Sequence, residues 1–144
     1  MALSVVNAGL PRESAPIEWA TVQFAQFEHD EKYHREISRL PMQDRLRHMA
    51  LHFAKYSGRL QDSPDDDLFD RVATDTLVIA ISCANILNID LSERRLGYES
   101  ESASRAEFAR RLTVAAGRMA GACERLDHVE DFPFRSALAD EVLN

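Results

Sequence analysis

Four basic side chains of one predicted helix recur at spacings that place them on a single face. His48, His52, Lys55 and Arg59, here called the basic face, follow one another at steps of four, three and four residues. Residues three or four apart are neighbours on a helix surface. A pair of histidines can bind a transition metal through ring nitrogens, whereas lysine and arginine bind phosphate groups. The basic face therefore predicts either a metal site or a phosphate site.

One carboxylate, Asp75, lies in the middle of the most apolar stretch of the chain, LFDRVATDTLVIAISCANILNIDL at residues 68–91. A buried carboxylate destabilises a fold unless it is paired, bound to a metal or neutralised. We expect the basic face to lie opposite Asp75 on a neighbouring helix. The contact would be either a salt bridge that fixes helix register or part of a small polar pocket that forms a binding site. If that site holds a metal, the expected ligands are His48 and His52, completed by Asp75 or His128.

A second metal-type spacing involves Glu31 and His34, which form the ExxH pattern of carboxylate-bridged di-iron bundles. Such bundles use the pattern twice, with two further glutamates. Here it occurs in the charge-dense segment FEHDEKYHREISRL, without a second copy. The pattern therefore indicates a solvent-exposed helix end rather than an iron site.

Hydrophobic periodicity predicts the two helices that come first in the chain. One begins near Pro16, a residue favoured in a first helical turn. Its apolar face comprises Ile17, Ala20, Phe24 and Phe27. The next helix runs from Met42 to Leu60 and carries the basic face. Its opposite side predicts a buried stripe of Leu46, Met49, Ala50, Phe53 and Leu60.

The helix that contains Asp75 begins after a capping signal, SPDDD at residues 63–67. We expect Ser63 to cap the helix and Pro64 to occupy its first turn. Between Leu77 and Leu87 the helix is apolar nearly all round. That pattern is typical of a helix in the middle of a bundle or in an oligomer interface.

A last long helix follows the polar linker at residues 98–104 and ends near Asp131. Alternating steps of four and three predict a packing seam, formed by Phe108, Leu112, Ala115, Met119, Ala122, Leu126 and Val129. Gly117 and Gly121 lie beside this seam. Because a glycine inside a helix costs about 1 kcal/mol, we expect another helix or a ligand to approach closely there.

Length and composition favour one all-α domain with a four-helix, bundle-like core. The chain has 144 residues with only five glycines and five prolines. We expect the domain to span residues 15–131, with a flexible arm at 1–14 and a tail at 132–144. A net charge of -7 argues against a nucleic-acid surface. The short apolar run and the lack of a signal-peptide pattern predict a cytoplasmic protein that contacts no membrane.

The segment VATDTLVIAISCANILNIDL, with GRL at residues 58–60 before it, resembles the two core helices of the MazG-like, all-α nucleoside triphosphate pyrophosphohydrolase superfamily. The resemblance covers residues 42–95. That family carries an EExxE motif on one helix and ExxD on the next, whose carboxylates hold Mg²⁺ against substrate phosphates. The resemblance implies a MazG-type helical domain in which Asp75 is the catalytic aspartate of ExxD.

The remaining motif positions depart from the family pattern. Val72 stands in place of the ExxD glutamate, and Lys55, Tyr56 and Arg59 stand in place of the EExxE glutamates. One acid cannot hold two Mg²⁺ ions, and cations at ligand positions repel them. A conventional magnesium site is therefore not expected, although another divalent metal stays an alternative. Lys55 and Arg59 would replace the metal charge in binding phosphate.

Two functions follow as expectations. The first is a MazG-like nucleotide-processing or nucleotide-binding protein whose altered site has lost Mg²⁺-dependent pyrophosphohydrolase activity; if it is an enzyme, it is a hydrolase of that type. The second is a non-enzymatic helical module for oligomerisation or partner binding. The resemblance and the apolar surface of the helix at 77–87 both imply a homo-oligomer, either a dimer or a tetramer.

Overall fold

A computed structural model describes residues 17–94 and 104–143 of the chain. The described residues form six α-helices and a 3₁₀ turn, with no strand among them, which confirms the all-α prediction. The predicted arm at 1–14 lies outside this part. The elements are α1 (Trp19–Tyr33), α2 (Arg35–Ser38), α3 (Met42–Gln61), α4 (Asp66–Leu87), the 3₁₀ turn (Leu91–Glu93), α5 (Arg105–Asp127) and α6 (Phe134–Leu143).

The centre of the bundle is α3, which packs against α5 on one side and α4 on the other. The predicted buried stripe of α3 is confirmed, because all of its members are buried and Leu46 is fully so. Burying these side chains supplies the hydrophobic free energy that holds the helix in place. The basic face consequently points away from α5. No helix in the described ranges is long and apolar enough to span a membrane.

The ends of α4 are set by local backbone chemistry. The N-cap is Asp65 rather than Ser63, because the Asp65 carboxylate accepts a hydrogen bond of 2.8 Å from the backbone N–H of Leu68. At the other end Asn88 adopts a left-handed φ of 60°. The N–H of Ile89 then donates to the carbonyl of Ala84 at 2.9 Å. This closure satisfies carbonyls that the helix end would leave unpaired.

Asp75 is exposed, so the expectation of a buried carboxylate is wrong. The last two turns of α4, from Ile81 to Leu87, are largely buried, but Leu77 in the middle of the helix is 50% exposed. The difference arises because α1 lies over the second half and ends at Tyr33. Beyond that point one side of α4 faces solvent, and Asp75 lies on it.

The apolar face predicted for α1 is also exposed rather than buried. Ile17 is 50% exposed, Phe24 61% and Phe27 46%, and α1 contains no buried residue. Trp19 and Val22 of α1 are partly buried against the core, and polar contacts also attach α1 to α4. The Gln23 amide donates to Asn85 Oδ1 at 3.1 Å and to the Ile89 carbonyl at 2.8 Å.

The seam of α5 is confirmed over most of its length but not at its end. Leu112, Met119 and Ala122 are buried, whereas Val129 is 88% exposed. Val129 lies beyond the helix with a left-handed φ of 55°. Its N–H donates to the Leu126 carbonyl in the turn that closes α5, and this turn directs the chain away from the seam.

The close approach of another helix that we expected at Gly117 and Gly121 is not found among the described residues, whereas the approach of a ligand stays a prediction. A Cβ atom built at either glycine meets nothing within 4 Å among the described residues. Gly117 is exposed on the outer surface of α5. Neither glycine is therefore required by helix packing.

The predicted tail at 132–144 contains α6, which packs against α5 and α4. Leu138 of α6 is only 1% exposed and belongs to the core. The helical bundle therefore includes this segment.

Candidate functional site

The basic face forms a connected row along α3. His48 and His52 are half-buried, and Lys55 and Arg59 are exposed. The Nε2 atoms of His48 and His52 lie 3.1 Å apart. On its other side, His52 Nδ1 lies 3.3 Å from Lys55 Nζ and 3.3 Å from the hydroxyl of buried Tyr56. The spacing seen in the sequence thus places these side chains in direct contact.

We assign the tautomers of both histidines from their hydrogen-bond partners in this row. A lysine ammonium can only donate, so His52 Nδ1 accepts from Lys55 and the His52 ring carries its proton on Nε2. His52 Nε2–H then donates to His48 Nε2. His48 must therefore carry its own proton on Nδ1. The row is a chain of hydrogen bonds that points from the Lys55 ammonium toward His48.

Burial lowers the pKa of His52, the Lys55 ammonium lowers it further, and so would protonation of the neighbouring imidazoles His48 and His34. The negative charge of Asp75 acts in the opposite direction on this pKa. His52 is consequently a neutral imidazole near pH 7, in agreement with its role as both acceptor and donor.

Tyr56 is the buried floor of the same surface. Burial raises the pKa of its phenol, Asp75 raises the Tyr56 pKa further, and Arg59 lowers it. Lys55 Nζ lies 4.8 Å from the centre of the Tyr56 ring. Asp75 of α4 and Arg59 of α3 thus act on the Tyr56 pKa in opposite directions.

Asp75, Lys55 and Arg59 carry charges that no ion pair neutralises within the described ranges. None of them forms a salt bridge shorter than 4 Å there, and Asp75 accepts no hydrogen bond from the described residues. The salt bridge that we considered as the structural alternative is thus not formed. The three side chains, here called the charged patch, are all exposed, Lys55 and Arg59 on α3 and Asp75 on the adjacent α4.

The histidine pair fits a metal in spacing but not in hydrogen bonding. The two Nε2 atoms are 3.1 Å apart, so a metal about 2.1 Å from each of them would have an N–metal–N angle of about 95°. Binding would, however, require the His52 proton to move to Nδ1, which faces the donor-only Lys55 ammonium. In residues 17–94 and 104–143, no three His, Cys, Asp or Glu side chains are grouped so that they could hold a metal ion. The predicted ligands His48, His52 and Asp75 are accordingly not grouped.

A cavity of about 90 Å³ lies beside the histidine end of the row. It is enclosed by the junction of α1 and α2, by the first half of α3 and by the middle of α4. Its polar lining includes Gln26, His29, Asp30, His34, Arg45, His48, His52 and Ser82. The chain has five histidines, and all but His128 lie on this wall.

Sequence reasoning missed the Arg45 end of this cavity. Arg45 precedes His48 by three residues and so extends the basic face by one more helical step, a signal that was present in the spacing. His34 was assigned to a solvent-exposed helix end. That prediction is confirmed, because His34 is exposed and is the C-cap of α1, but the break between α1 and α2 also places it beside the cavity.

Comparison of the chain with protein-family models, with curated proteins and with solved structures finds no match.

Proposed function

We propose that the chain is a MazG-like protein that binds a nucleotide through the charged patch without needing a divalent metal. The observation that carries the proposal is the pair of exposed cations, Lys55 and Arg59, with no described carboxylate within salt-bridge distance. A polyphosphate supplies the missing negative charge, and arginine can bind it through two parallel hydrogen bonds.

The same patch is poorly suited to Mg²⁺. Magnesium prefers several oxygen ligands in octahedral geometry, and Asp75 is the one carboxylate of the patch. Lys55 and Arg59 would repel the ion at short range. Phosphate binding and Mg²⁺ binding at this surface are therefore alternatives, and the cations favour phosphate.

Asp75 is the group of the patch that can accept a hydrogen bond from a ligand hydroxyl or from a water molecule. Any hydrolysis of a phosphoanhydride at this surface would use Asp75 as the base for the attacking water. The absence of metal ligands suggests slow hydrolysis at most, so ligand binding is the principal function that we propose. We place that function in the cytoplasm, as the sequence predicts.

A thermal-shift panel of nucleoside mono-, di- and triphosphates, each with Mg²⁺ or with EDTA, tests the proposal. A ligand that binds only the native state raises the melting temperature. We expect the shift to increase with the number of phosphates and to persist in EDTA. Shifts that appear only with Mg²⁺ would refute the proposal. So would the lack of a shift with every nucleotide tested.

Self-association through α1 is the second candidate function, and the exposed apolar row of α1 favours it. Ile17, Ala20, Phe24 and Phe27 follow steps of three, four and three, the spacing of a helix-to-helix seam. We propose that a second copy of the chain covers this row in a dimer or a tetramer.

Light scattering on the purified chain tests this second candidate. The expected result is a mass of two or four chains for the wild type and of one chain for Phe24→Glu/Phe27→Glu. Ala25→Glu, a charge at an exposed position of the same helix that is not three or four residues from any member of the row, serves as the control and should keep the wild-type mass. A monomeric wild type at high micromolar concentration would contradict it.

A further inference from the structure

The cavity between the α1–α2 junction, α3 and α4 contains an arginine without a described partner. Arg45 is half-buried, its Nε atom is inaccessible to solvent, and this atom has no hydrogen-bond acceptor. No salt bridge joins Arg45 to any acid in the described ranges. A partly buried guanidinium is costly to leave without an anion.

Arg47, two residues further along α3, provides the comparison. Its guanidinium binds Asp44 at 2.6 Å and also binds Asp127, so its charge is neutralised by the protein itself. The two arginines have the same chemistry and a similar degree of exposure. The Nε atom of Arg47 is likewise buried without an acceptor, so the difference between the two arginines is the ion pair: Arg45 lines the cavity and pairs with no carboxylate in the described ranges.

The acid on the cavity wall, Asp30, is already engaged elsewhere. Ser82 Oγ donates to Asp30 Oδ2 at 2.7 Å, and Gln26 Nε2 donates to Asp30 Oδ1 at 2.8 Å. These bonds tie Asp30 to α4 and to its own helix rather than to Arg45. The arginine charge is thus left for a group that enters the cavity.

His48 provides a second donor on the same wall. Because His48 Nε2 accepts the proton of His52, the other ring nitrogen of His48 carries a hydrogen. No acceptor for this N–H lies within hydrogen-bond distance among the described residues. Arg45 and His48 are three residues apart on α3 and so are neighbours on its surface.

We propose that this cavity is a binding site for a small oxyanion, a phosphate or sulfate ion or the phosphoryl group of a larger ligand, held by Arg45 and His48. Its volume of about 90 Å³ exceeds the space that a single water molecule needs. The site is separate from the charged patch, because Arg45 and Lys55 are ten residues, about 15 Å, apart along α3.

Titration of the wild-type chain with inorganic phosphate, followed by NMR of the arginine Nε–H and histidine ring resonances, tests the proposal. At constant ionic strength and near neutral pH, the Arg45 and His48 signals should shift in a saturable way. Sulfate should compete with phosphate, whereas chloride should not. Shifts confined to Lys55 or Arg59, or no saturable shift, would overturn the proposal.

Variants measure the contribution of the guanidinium. Arg45→Gln should weaken phosphate binding about tenfold or more, the effect of losing a charge-assisted hydrogen bond. Arg71→Gln makes the same change of charge at an exposed position of α4 and should bind phosphate as the wild type does. Equal binding by both variants would overturn the proposal. If Arg45→Gln does not fold, the wild-type titration decides alone.

A nucleoside triphosphate added to Lys55→Ala/Arg59→Ala distinguishes the two sources of the oxyanion. A shift of the Arg45 signal identifies a phosphoryl group of a larger ligand. A shift with inorganic phosphate alone identifies the free ion. This variant lacks the cations of the charged patch, so the proposed nucleotide function can fail while the cavity still binds phosphate. Equally, the cavity can fail to bind phosphate while the charged patch of the wild type binds a nucleotide.

Discussion

His52 connects the two parts of the site at the scale of single residues. Its imidazole accepts from Lys55 at the edge of the charged patch and donates to His48 at the cavity wall. A change of charge at the patch should therefore be measurable on this ring. The direction of each change follows from the charges that surround it.

We predict that Lys55→Ala raises the pKa of His52 and that Asp75→Asn lowers it. Removing the lysine removes a repulsion from the imidazolium, whereas removing the aspartate removes an attraction. Histidine ring NMR during a pH titration measures both values. The wild-type pKa should lie below the ordinary value of 6.5, and shifts of the opposite sign in the variants would contradict the geometry.

The lowered pKa of His52 also determines how the stability of the fold changes with pH. The unfolded chain binds the His52 proton more readily than the native chain does. The His52 contribution to the free energy of unfolding is therefore present above pH 6.5 and is lost as the pH falls through the lower pKa of the native state. In Lys55→Ala, this loss of stability should be smaller, which denaturant melts at several pH values can measure.

At the end of α5, Val129→Gly should stabilise the protein by about 1 kcal/mol. A β-branched side chain is unfavourable at the left-handed φ of 55°, whereas glycine is the preferred residue at this position of a helix end. Because Val129 is 88% exposed, little packing is lost. Val129→Ala retains the Cβ atom and is the control, with a smaller gain expected in urea denaturation. A loss of stability in Val129→Gly would contradict the left-handed backbone conformation of residue 129.

At the scale of the helix, Gly117→Ala should raise the free energy of unfolding by about 0.5–1 kcal/mol. The position is exposed, within α5, and free of any neighbour within 4 Å in the described structure. Ala120→Gly, at another exposed position of the same helix, should lower stability by a similar amount. Destabilisation by Gly117→Ala would mean that a helix or a ligand does contact α5 there.

The buried faces of α3 and α5 could be predicted from the sequence because each helix has neighbours along most of one side. Burial then follows the helical period, as it does at Leu46 and Met119. The same reasoning failed for α1 and for Asp75. Their exposure depends on where a neighbouring helix ends, and hydrophobic periodicity within one helix contains no information about that.

The candidate site was predictable in part for a similar reason. Contact among His48, His52 and Lys55 follows from spacing on one helix and is confirmed. The cavity requires the break at His34 and the packing of α1 on α4, which are tertiary features. Arg45 follows the same spacing, three residues before His48. That it has no carboxylate partner among the described residues can be seen only in the structure.

At the scale of the whole molecule, α1 is an outer helix attached to the bundle by polar contacts. The side chain of Gln23 bonds Asn85 and the backbone of Ile89, and it accepts from the Leu91 N–H at 2.8 Å. No residue of α1 is buried. The apolar contacts of α1 with the core come from partly buried side chains, Trp19 and Val22, so the cavity wall depends on a helix with no fully buried apolar side chain.

We predict that Gln23→Ala loosens α1 without unfolding the bundle. Each lost hydrogen bond contributes about 1 kcal/mol, so hydrogen exchange of α1 amides should accelerate about tenfold while α3 and α5 stay protected. Thr21→Ala, an exposed change on α1, should leave exchange unaltered. A uniform loss of protection across all helices would contradict a separately attached α1.

The central claim is that Lys55 and Arg59 bind a polyphosphate in place of a metal ion. Calorimetric titration of a nucleoside triphosphate into the wild type in EDTA tests it most directly, with Lys55→Ala/Arg59→Ala as the variant. Arg39→Ala/Arg71→Ala, which removes the same charge at two exposed positions, is the control. We predict saturable binding that the control retains and the variant loses by about tenfold or more. Binding that requires Mg²⁺, or equal affinities in the variant and the control, would contradict the claim.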